Sequence, residues 1–459
     1  MNLFSGIVYY YPIYQKYIGK RLYYLFLFAF IVSITEGIGI TLLLPLFSVL
    51  QEAEPPVSRL GLIINNALSL IGANESVVAI LITIAGIFVL KGLLVFSEGA
   101  YRAFIYSQLL KELKSRMFEG FKGMDYEYYT KRNVGHFTNI INEQINHFLN
   151  SFEYFTLTIS NIIMTLGYLS IAILIDWRVS VLSLASGGVF FLLYTYINRY
   201  VHSLSTKTAY ETGEMNKIFI QTLHAFKYAI STDKITYLKD GVLQSVNKLA
   251  NLYKKQQVIF TFGHSIREPV SVLLVLCIIL FQVVIMKVQF ESTLVVILLF
   301  YRSLRYLLDI QVYWQRAMGQ AGSVDMVIKE FNTLNKNQEI DGTQKINALA
   351  ESIEFSNISF TYCDGKAPTL NKLNMNIFAN TTVAVVGESG AGKSTLIDML
   401  TLLLKPQSGQ IKIDGVPWQN IQLASWRKQI GYVLQDMVIF DDTVANNICL
   451  WEGYSVTDS

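Results

Sequence analysis

The sequence predicts an α-helical membrane domain of six spans with long cytoplasmic extensions, followed by part of an α/β domain. Three observations predict it. The 459 residues are 52% hydrophobic and only 15% charged, well off the balance of a soluble globular chain. Apolar runs long enough to cross a bilayer recur six times before residue 302. After residue 350 the pattern changes to short alternating strands and a glycine-rich loop, GESGAGKS, at Gly387–Ser394.

The apolar runs fall near Tyr23–Leu50, Val77–Phe96, Phe155–Ile175, Val179–Ile197, Val270–Met286 and Thr293–Tyr301. The sixth is short before Arg302 and Arg305, although its helical pattern continues to about Leu334. Segments 1–21, 101–154 and 198–268 carry 3, 7 and 10 Lys and Arg residues. The intervening loops carry one each: Arg59, Arg178 and Lys287. Basic segments stay on the cytoplasmic side, so the expectation is a multi-pass protein of the cytoplasmic (plasma or inner) membrane with both termini cytoplasmic. The start, MNLFSGIVYYYPIYQ, has no basic stretch ahead of an apolar core and small-residue cleavage site, so no signal peptide is expected.

The two large cytoplasmic segments have apolar residues at helical spacing, as in Leu109, Leu110, Leu113, Met117, Phe118 and Phe121. Each projection needs a turn at its tip, placed near Tyr126–Arg132 and Ser231–Lys239. Contact of these tips with the following domain would let motion pass between the two. The net charge of +3 gives no reason to expect a nucleic-acid partner. Cys277, Cys363 and Cys449 are far apart and odd in number, which fits neither a disulfide framework nor a zinc site and reads as small buried hydrophobes.

The membrane domain is expected over 1–334, a polar linker over 335–350, and the α/β part over 351–459. Ile353, Phe355, Ile358, Phe360 and Tyr362 alternate as a strand up to the turn CDGKAP. TTVAVVG reads as a β-branched strand and STLIDMLTLLL as a helix, so the glycine loop sits between strand and helix N-terminus as a P-loop must. Gly387, Gly390 and Gly392 allow backbone conformations closed to residues with a Cβ, letting N–H groups point at phosphate oxygens. Glu388, Ser389, Ala391 and Thr395 complete the cradle. Lys393 is expected to reach the β- and γ-phosphates of ATP, and the Ser394 hydroxyl to ligate Mg²⁺. Tyr362, at the end of its strand, is either a core or edge tyrosine or a platform for adenine.

Tyr362, GESGAGKST, SGQIKIDG at Ser408–Gly415 and WRKQIGYVLQDMVIFDDTVANNI at Trp426–Ile448 together resemble the nucleotide-binding domain of ATP-binding cassette transporters. The resemblance covers nearly all of 351–459. It implies adenine stacking by Tyr362 and makes Gln435 the glutamine that contacts Mg²⁺ and the γ-phosphate. Phe440, Thr443, Asn447 and Ile448 match the exporter form of that loop. Six spans ahead of a cassette resemble an exporter half-transporter, whose tips near 126–132 and 231–239 would be coupling helices. A second half-transporter, in a homodimer or heterodimer, would complete it. Asn380 stands where glycine is usual and Leu434 where Pro or Ser is usual. The family's signature, Walker B Asp, catalytic Glu and switch His should follow Gln435, and none occurs by Ser459. LASGGV at Leu184–Val189 lies inside the fourth apolar run and is no signature. The expectation is that 1–459 is a fragment of a longer protein, carrying no catalytic residue and hydrolysing no ATP at a useful rate.

Ionisable groups inside spans are functional candidates because they are costly in lipid. Glu36, Lys91, Arg302 and Arg305 are the candidates for a substrate cavity. Acid and base together suit an amphiphile with a charged headgroup, and the first span resembles exporters of lipid-linked saccharides. Peptide or multidrug export is the competing reading. A non-hydrolysing nucleotide-binding membrane protein, or a degenerate heterodimer partner, is the alternative of another class.

Overall fold

A computed structural model describes residues 3–50, 59–70, 76–132, 134–175, 225–280, 290–362, 367–435 and 438–451, with isolated positions at 72 and between 177 and 223. Two compact units are present: residues 1–119 with 135–332, and residues 120–134 with 333–459.

The first unit is helical. Helix α1 (Leu3–Ile18) buries Tyr10, Tyr14 and Ile18, and the Tyr14 hydroxyl donates to Ser151 Oγ at 2.8 Å. The first apolar run forms α2 (Arg21–Thr41) and α3 (Leu43–Leu50), broken at Leu42. Pro45 explains the break: it has no N–H to give the carbonyl four residues back, at Thr41. Helix α4 (Arg59–Leu70) precedes α5 (Val77–Lys122), whose 46 residues exceed what a bilayer needs. Within α5 the stripe Ile105, Leu109, Leu113, Met117 is buried at four-residue spacing, while Phe118 is exposed.

The second unit's first segment contains α6 (Tyr126–Thr130), capped by Asp125, whose carboxylate accepts from Glu127 N at 3.0 Å. Helix α7 (Val134–Asn139) and a π-turn at Ile140–Gln144 lead back into the first unit through α8 (Ile145–Ile175). Among the described residues, Arg21–Leu50, Val77–Lys122 and Val134–Ile175 are long and apolar enough to cross a membrane. The fourth predicted span, Val179–Ile197 with its LASGGV, lies outside the described residues. The second tip is a turn at 232–234, with Asp233 at φ +54°, between α9 (Phe226–Ser231) and α10 (Ile235–Ser265). Helix α11 (Arg267–Leu280) covers the described part of the fifth run. The sixth continues through both arginines as α12 (Phe290–Gly319), followed by α13 (Ala321–Lys336). A core of Val32, Met164, Tyr168, Val295, Val296, Leu299, Phe300 and Leu304 joins α2, α8 and α12.

The second unit is built on an antiparallel sheet in the order β2-β1-β3-β4, from β1 (Ser352–Phe360), β2 (Leu370–Phe378), β3 (Ser408–Ile413) and β4 (Val416–Pro417). Ile353, Phe355, Ile358 and Phe360 of β1 are all buried. The three-residue step from Phe355 to Ile358 is a bulge with Asn357 at φ +51°, which returns the alternation to the core face. The CDGKAP turn falls largely outside the described residues.

TTVAVVG is not a strand in this structure. Residues 381–388 take no regular secondary structure, and Val383, Val385 and Val386 are 48%, 39% and 92% exposed. Among the described residues no neighbouring strand supplies the ladder that β-branched propensity alone cannot. The helix after the glycine loop, α14 (Lys393–Leu400), is also shorter than expected. Leu402 turns to φ +54°, and the Leu403 and Leu404 N–H groups return to Asp398 O at 2.8 and 3.0 Å. That closure buries Leu402 and Leu404.

The polar stretch 335–350 is stitched down rather than free. Asp125 N donates to Asn337 O and Glu339 N to Gly123 O, each at 2.9 Å; Gly342 N reaches Ile421 O, and Ile346 enters the core. Arg427, on α15 (Leu423–Arg427), forks onto both Glu339 oxygens at 2.8 and 2.6 Å, and Lys405 lies 3.3 Å from Asp125. Cys449, the last residue of the exposed helix α16 (Val444–Cys449), is half-buried rather than buried.

Asp414 fixes the start of the sheet by accepting N–H bonds from Ala350, Glu351 and Ser352 at 2.9, 2.7 and 3.0 Å. Slight burial raises its pKa, but the three donors outweigh it and hold the carboxyl below its ordinary 3.8. A depressed folded-state pKa gives stability that is present above 3.8 and lost as pH falls through the lower folded value. Asp414→Ala should therefore destabilise this unit by about 1–2 kcal/mol at neutral pH. The gap between wild-type and variant denaturation midpoints should narrow below pH 3.8.

Candidate nucleotide site and intramembrane ion-pair cluster

The glycine loop owes its path to two residues. Gly390 and Gly392 sit at φ +84° and +87°, and Gly392 is the N-cap of α14. A Cβ on Gly392 would also lie 2.9 Å from Thr369 O and 3.0 Å from Leu370 Cδ2, so both backbone angle and space require glycine. Gly387 keeps a negative φ; a Cβ there would meet Ala391 at 3.2 Å. Glu388, Ser389, Gly390 and Ala391 are exposed along the loop, and Ala391 N closes a turn onto Glu388 O at 3.2 Å. Lys393 Nζ folds back across the loop onto Gly387 O at 2.8 Å and Glu388 O at 2.7 Å. Ser394 is exposed in the first helical turn.

Thr395 is buried, and its Oγ1 lies 3.2 Å from the Tyr362 hydroxyl. Tyr362 packs edge-on against Phe360, ring centroids 5.0 Å apart, and remains 37% exposed, so its free face is open. The strand-end tyrosine is therefore tied to the glycine-loop helix. Asp398, one turn further along α14, accepts from the Tyr432 hydroxyl at 3.5 Å, and Tyr432 lies three residues before the exposed Gln435. Burial raises the Asp398 pKa and the Tyr432 bond partly offsets it. Tyr126 of α6 packs on the same core, and its hydroxyl pKa is raised by burial and by the charge of Asp398. Composition and spacing gave no sign of Asp398, Tyr432 or Tyr126 as neighbours of this site.

The motif Phe440, Thr443, Asn447, Ile448 has a mechanical basis. Thr443 caps α16 by accepting from Asn446 N at 3.2 Å. The Asn447 amide pairs with both backbone groups of Phe440, at 2.7 and 2.9 Å, and Trp451 closes edge-on over the Phe440 ring at 5.1 Å. Ile448 is exposed.

Within the first unit, α2, α5, α8 and α12 bring three of the four candidate charges together. Glu36 is fully buried. Its Oε2 lies 2.6 Å from Lys91 Nζ, and its Oε1 lies 3.6 Å from Arg302 Nε. Tyr168 donates its hydroxyl to Glu36 Oε2, and Tyr306 stacks on Tyr168 with centroids 5.4 Å apart. Lys91 also lies 5.7 Å from the Phe88 ring centroid. Arg305 is exposed and takes no part in an ion pair among the described residues. Sequence reasoning missed Tyr168 and Tyr306, which look like ordinary apolar-helix aromatics until the helices are assembled. A second polar group, Glu98 with Arg102 and Ser160, was also missed; its only signal is the four-residue spacing of Glu98 and Arg102.

Among the described residues no group of three His, Cys, Asp or Glu side chains is placed to hold a metal.

Two family models match this chain. Residues 22–305 match the ABC transporter transmembrane region, and residues 370–458 match the ABC transporter model. Among curated relatives, the ATP-dependent lipid A-core flippase 2 of Colwellia psychrerythraea is 25% identical over 100% of this chain and 75% of its own length. The ATP-dependent lipid A-core flippase of Haemophilus influenzae is 25% identical over 82% of this chain and 65% of its own. That of Escherichia coli K12 is 24% identical over 80% and 63%. The matches to these last two span under two thirds of those relatives' length.

Proposed function

The chain belongs to the ABC transporter family, and from that premise we propose that it works as an exporter-type half-transporter in the cytoplasmic membrane, using ATP to flip an amphiphile with an anionic headgroup. A lipid or lipid-linked saccharide is the favoured substrate, in keeping with the names of the flippases it resembles. The observation that carries the reading is the buried Glu36 paired with Lys91 and Arg302 inside otherwise apolar helices. Uncompensated charge is too costly in lipid to persist without a use, and two cations around one carboxylate leave an excess of positive charge for a headgroup.

Tyr362 would stack adenine, the loop Gly387–Thr395 would hold the phosphates, and Ser394 with Gln435 would meet Mg²⁺. These assignments draw support from the open Tyr362 face and from the two positive-φ glycines ahead of α14. A second half-transporter would complete the site, with both termini in the cytoplasm. The tip at 126–132 would act as a coupling element, because Asp125 and Met124 are hydrogen-bonded and bridged to residues 337–338 in the nucleotide unit. The tip at 231–239 would serve as the second.

Transport of a fluorescent anionic lipid by the intact transporter in proteoliposomes tests the proposal. Lys91→Met and Glu36→Gln should each abolish flipping while nucleotide binding stays at the wild-type level. Wild-type flipping rates in both variants would overturn it.

A further inference from the structure

The geometry points to Glu36 as an internal competitor for the headgroup: its carboxylate occupies Lys91 and Arg302 when no substrate is bound and yields them when an anionic headgroup arrives. This rests on the headgroup reading above and adds a regulating residue to it.

Glu36 itself is inaccessible, with no exposed surface, whereas the side chains of Lys91 and Arg302 are 19% and 38% exposed. A ligand can therefore reach the cations without first reaching the carboxylate. The carboxylate is also held in place. Its neighbour Gly37 packs against Ile171 with no room for a Cβ, so α2 and α8 lie in close contact beside it. Tyr168, backed by Tyr306, donates to the same Oε2 that Lys91 pairs with.

The two ion pairs are unequal. Lys91 is at hydrogen-bonding distance, but Arg302 is 3.6 Å away, and among the described residues the buried Glu36 Oε1 has no hydrogen-bond donor. A buried carboxylate oxygen without a donor is a half-made interaction. The Arg302 guanidinium keeps donors to spare, in a fork that suits two phosphate oxygens. One carboxylate against two cations leaves a single excess positive charge, so a singly charged phosphate ester balances the cluster without any proton movement. When the headgroup departs, Glu36 recovers both cations and no bare charge is left among apolar helices. Tyr168 keeps the carboxylate partnered during the exchange.

The measurement is binding of dodecyl phosphate to the protein in phosphatidylcholine nanodiscs, with dodecyl maltoside as the uncharged control. Glu36→Gln removes the competing charge and should tighten dodecyl phosphate about tenfold while leaving the maltoside unchanged. Lys91→Met should weaken dodecyl phosphate about tenfold or more. Equal or weaker dodecyl phosphate binding by Glu36→Gln, with Lys91→Met still weakening it, overturns the competitor role and leaves the headgroup reading standing. Unchanged binding in Lys91→Met and in Arg302→Met removes the headgroup reading itself. If Glu36→Gln does not fold, Glu36→Asp draws the charge back from Arg302. It should tighten binding by a smaller factor, and unchanged or weaker binding would again overturn the role.

Discussion

Lys393→Ala is expected to weaken ATP binding by about 100-fold or more. Among the described residues the ammonium has no acidic partner; it rests on the Gly387 and Glu388 carbonyls across the mouth of the loop. Neutral carbonyls are modest partners, so a nucleotide's β- and γ-phosphate oxygens would win the ammonium from them. Two charge-assisted hydrogen bonds at about 1.5–3 kcal/mol each make a loss of roughly 3 kcal/mol or more reasonable, which corresponds to the stated factor. The fold should hardly notice. Lys393 is half-buried, but its partners Gly387 and Glu388 are exposed and their released carbonyls can turn to water, so the denaturation midpoint should move by the small amount typical of a surface change. Fluorescent-nucleotide titration beside a thermal melt separates the two effects. Wild-type affinity in the variant would remove the phosphate-binding role from Lys393, the cation that the loop itself carries.

How much of this was readable in advance depended on how local each constraint is. The membrane helices were readable because lipid forces long apolar runs that no soluble strand or loop imitates. Glu36 and Lys91 stood out as charges within such runs, and the structure joins them to Arg302, though not to Arg305. Tyr168 and Tyr306 were hidden because an aromatic in an apolar helix has no distinguishing pattern until its partner helix is known. The glycine loop was readable because a positive φ leaves its mark in residue type. The binding of 120–134 to 337–339 was not, since it runs through backbone N–H and C=O groups that every residue carries. The valine run 383–386 failed as a strand for a related reason: a ladder depends on a neighbour, and β-branching reports only half of it.

Trp426→Ala should have the largest effect on stability in the nucleotide unit, about 3–5 kcal/mol. The indole is 5% exposed within the core that also holds Leu396, Met399, Leu402, Phe360 and Ile411, and its Nε1 donates to Leu400 O at 3.0 Å. Leu400 ends α14, so this one bond satisfies a carbonyl that the helix leaves open at its C-terminus. Truncation removes the packing, opens a cavity behind the helix and strips that carbonyl of its partner at once. Because the glycine loop is anchored at the other end of α14, ATP affinity should fall along with stability, although residue 426 touches no proposed phosphate ligand. Trp426→Phe separates the contributions. It keeps most of the ring volume and loses the bond, so it should cost only about 1–2 kcal/mol and retain nucleotide binding. Equal denaturation midpoints for wild type and Trp426→Ala would mean that the back of α14 is not what holds the loop in shape. Full stability loss in both variants would instead assign the dominant share to the Leu400 hydrogen bond.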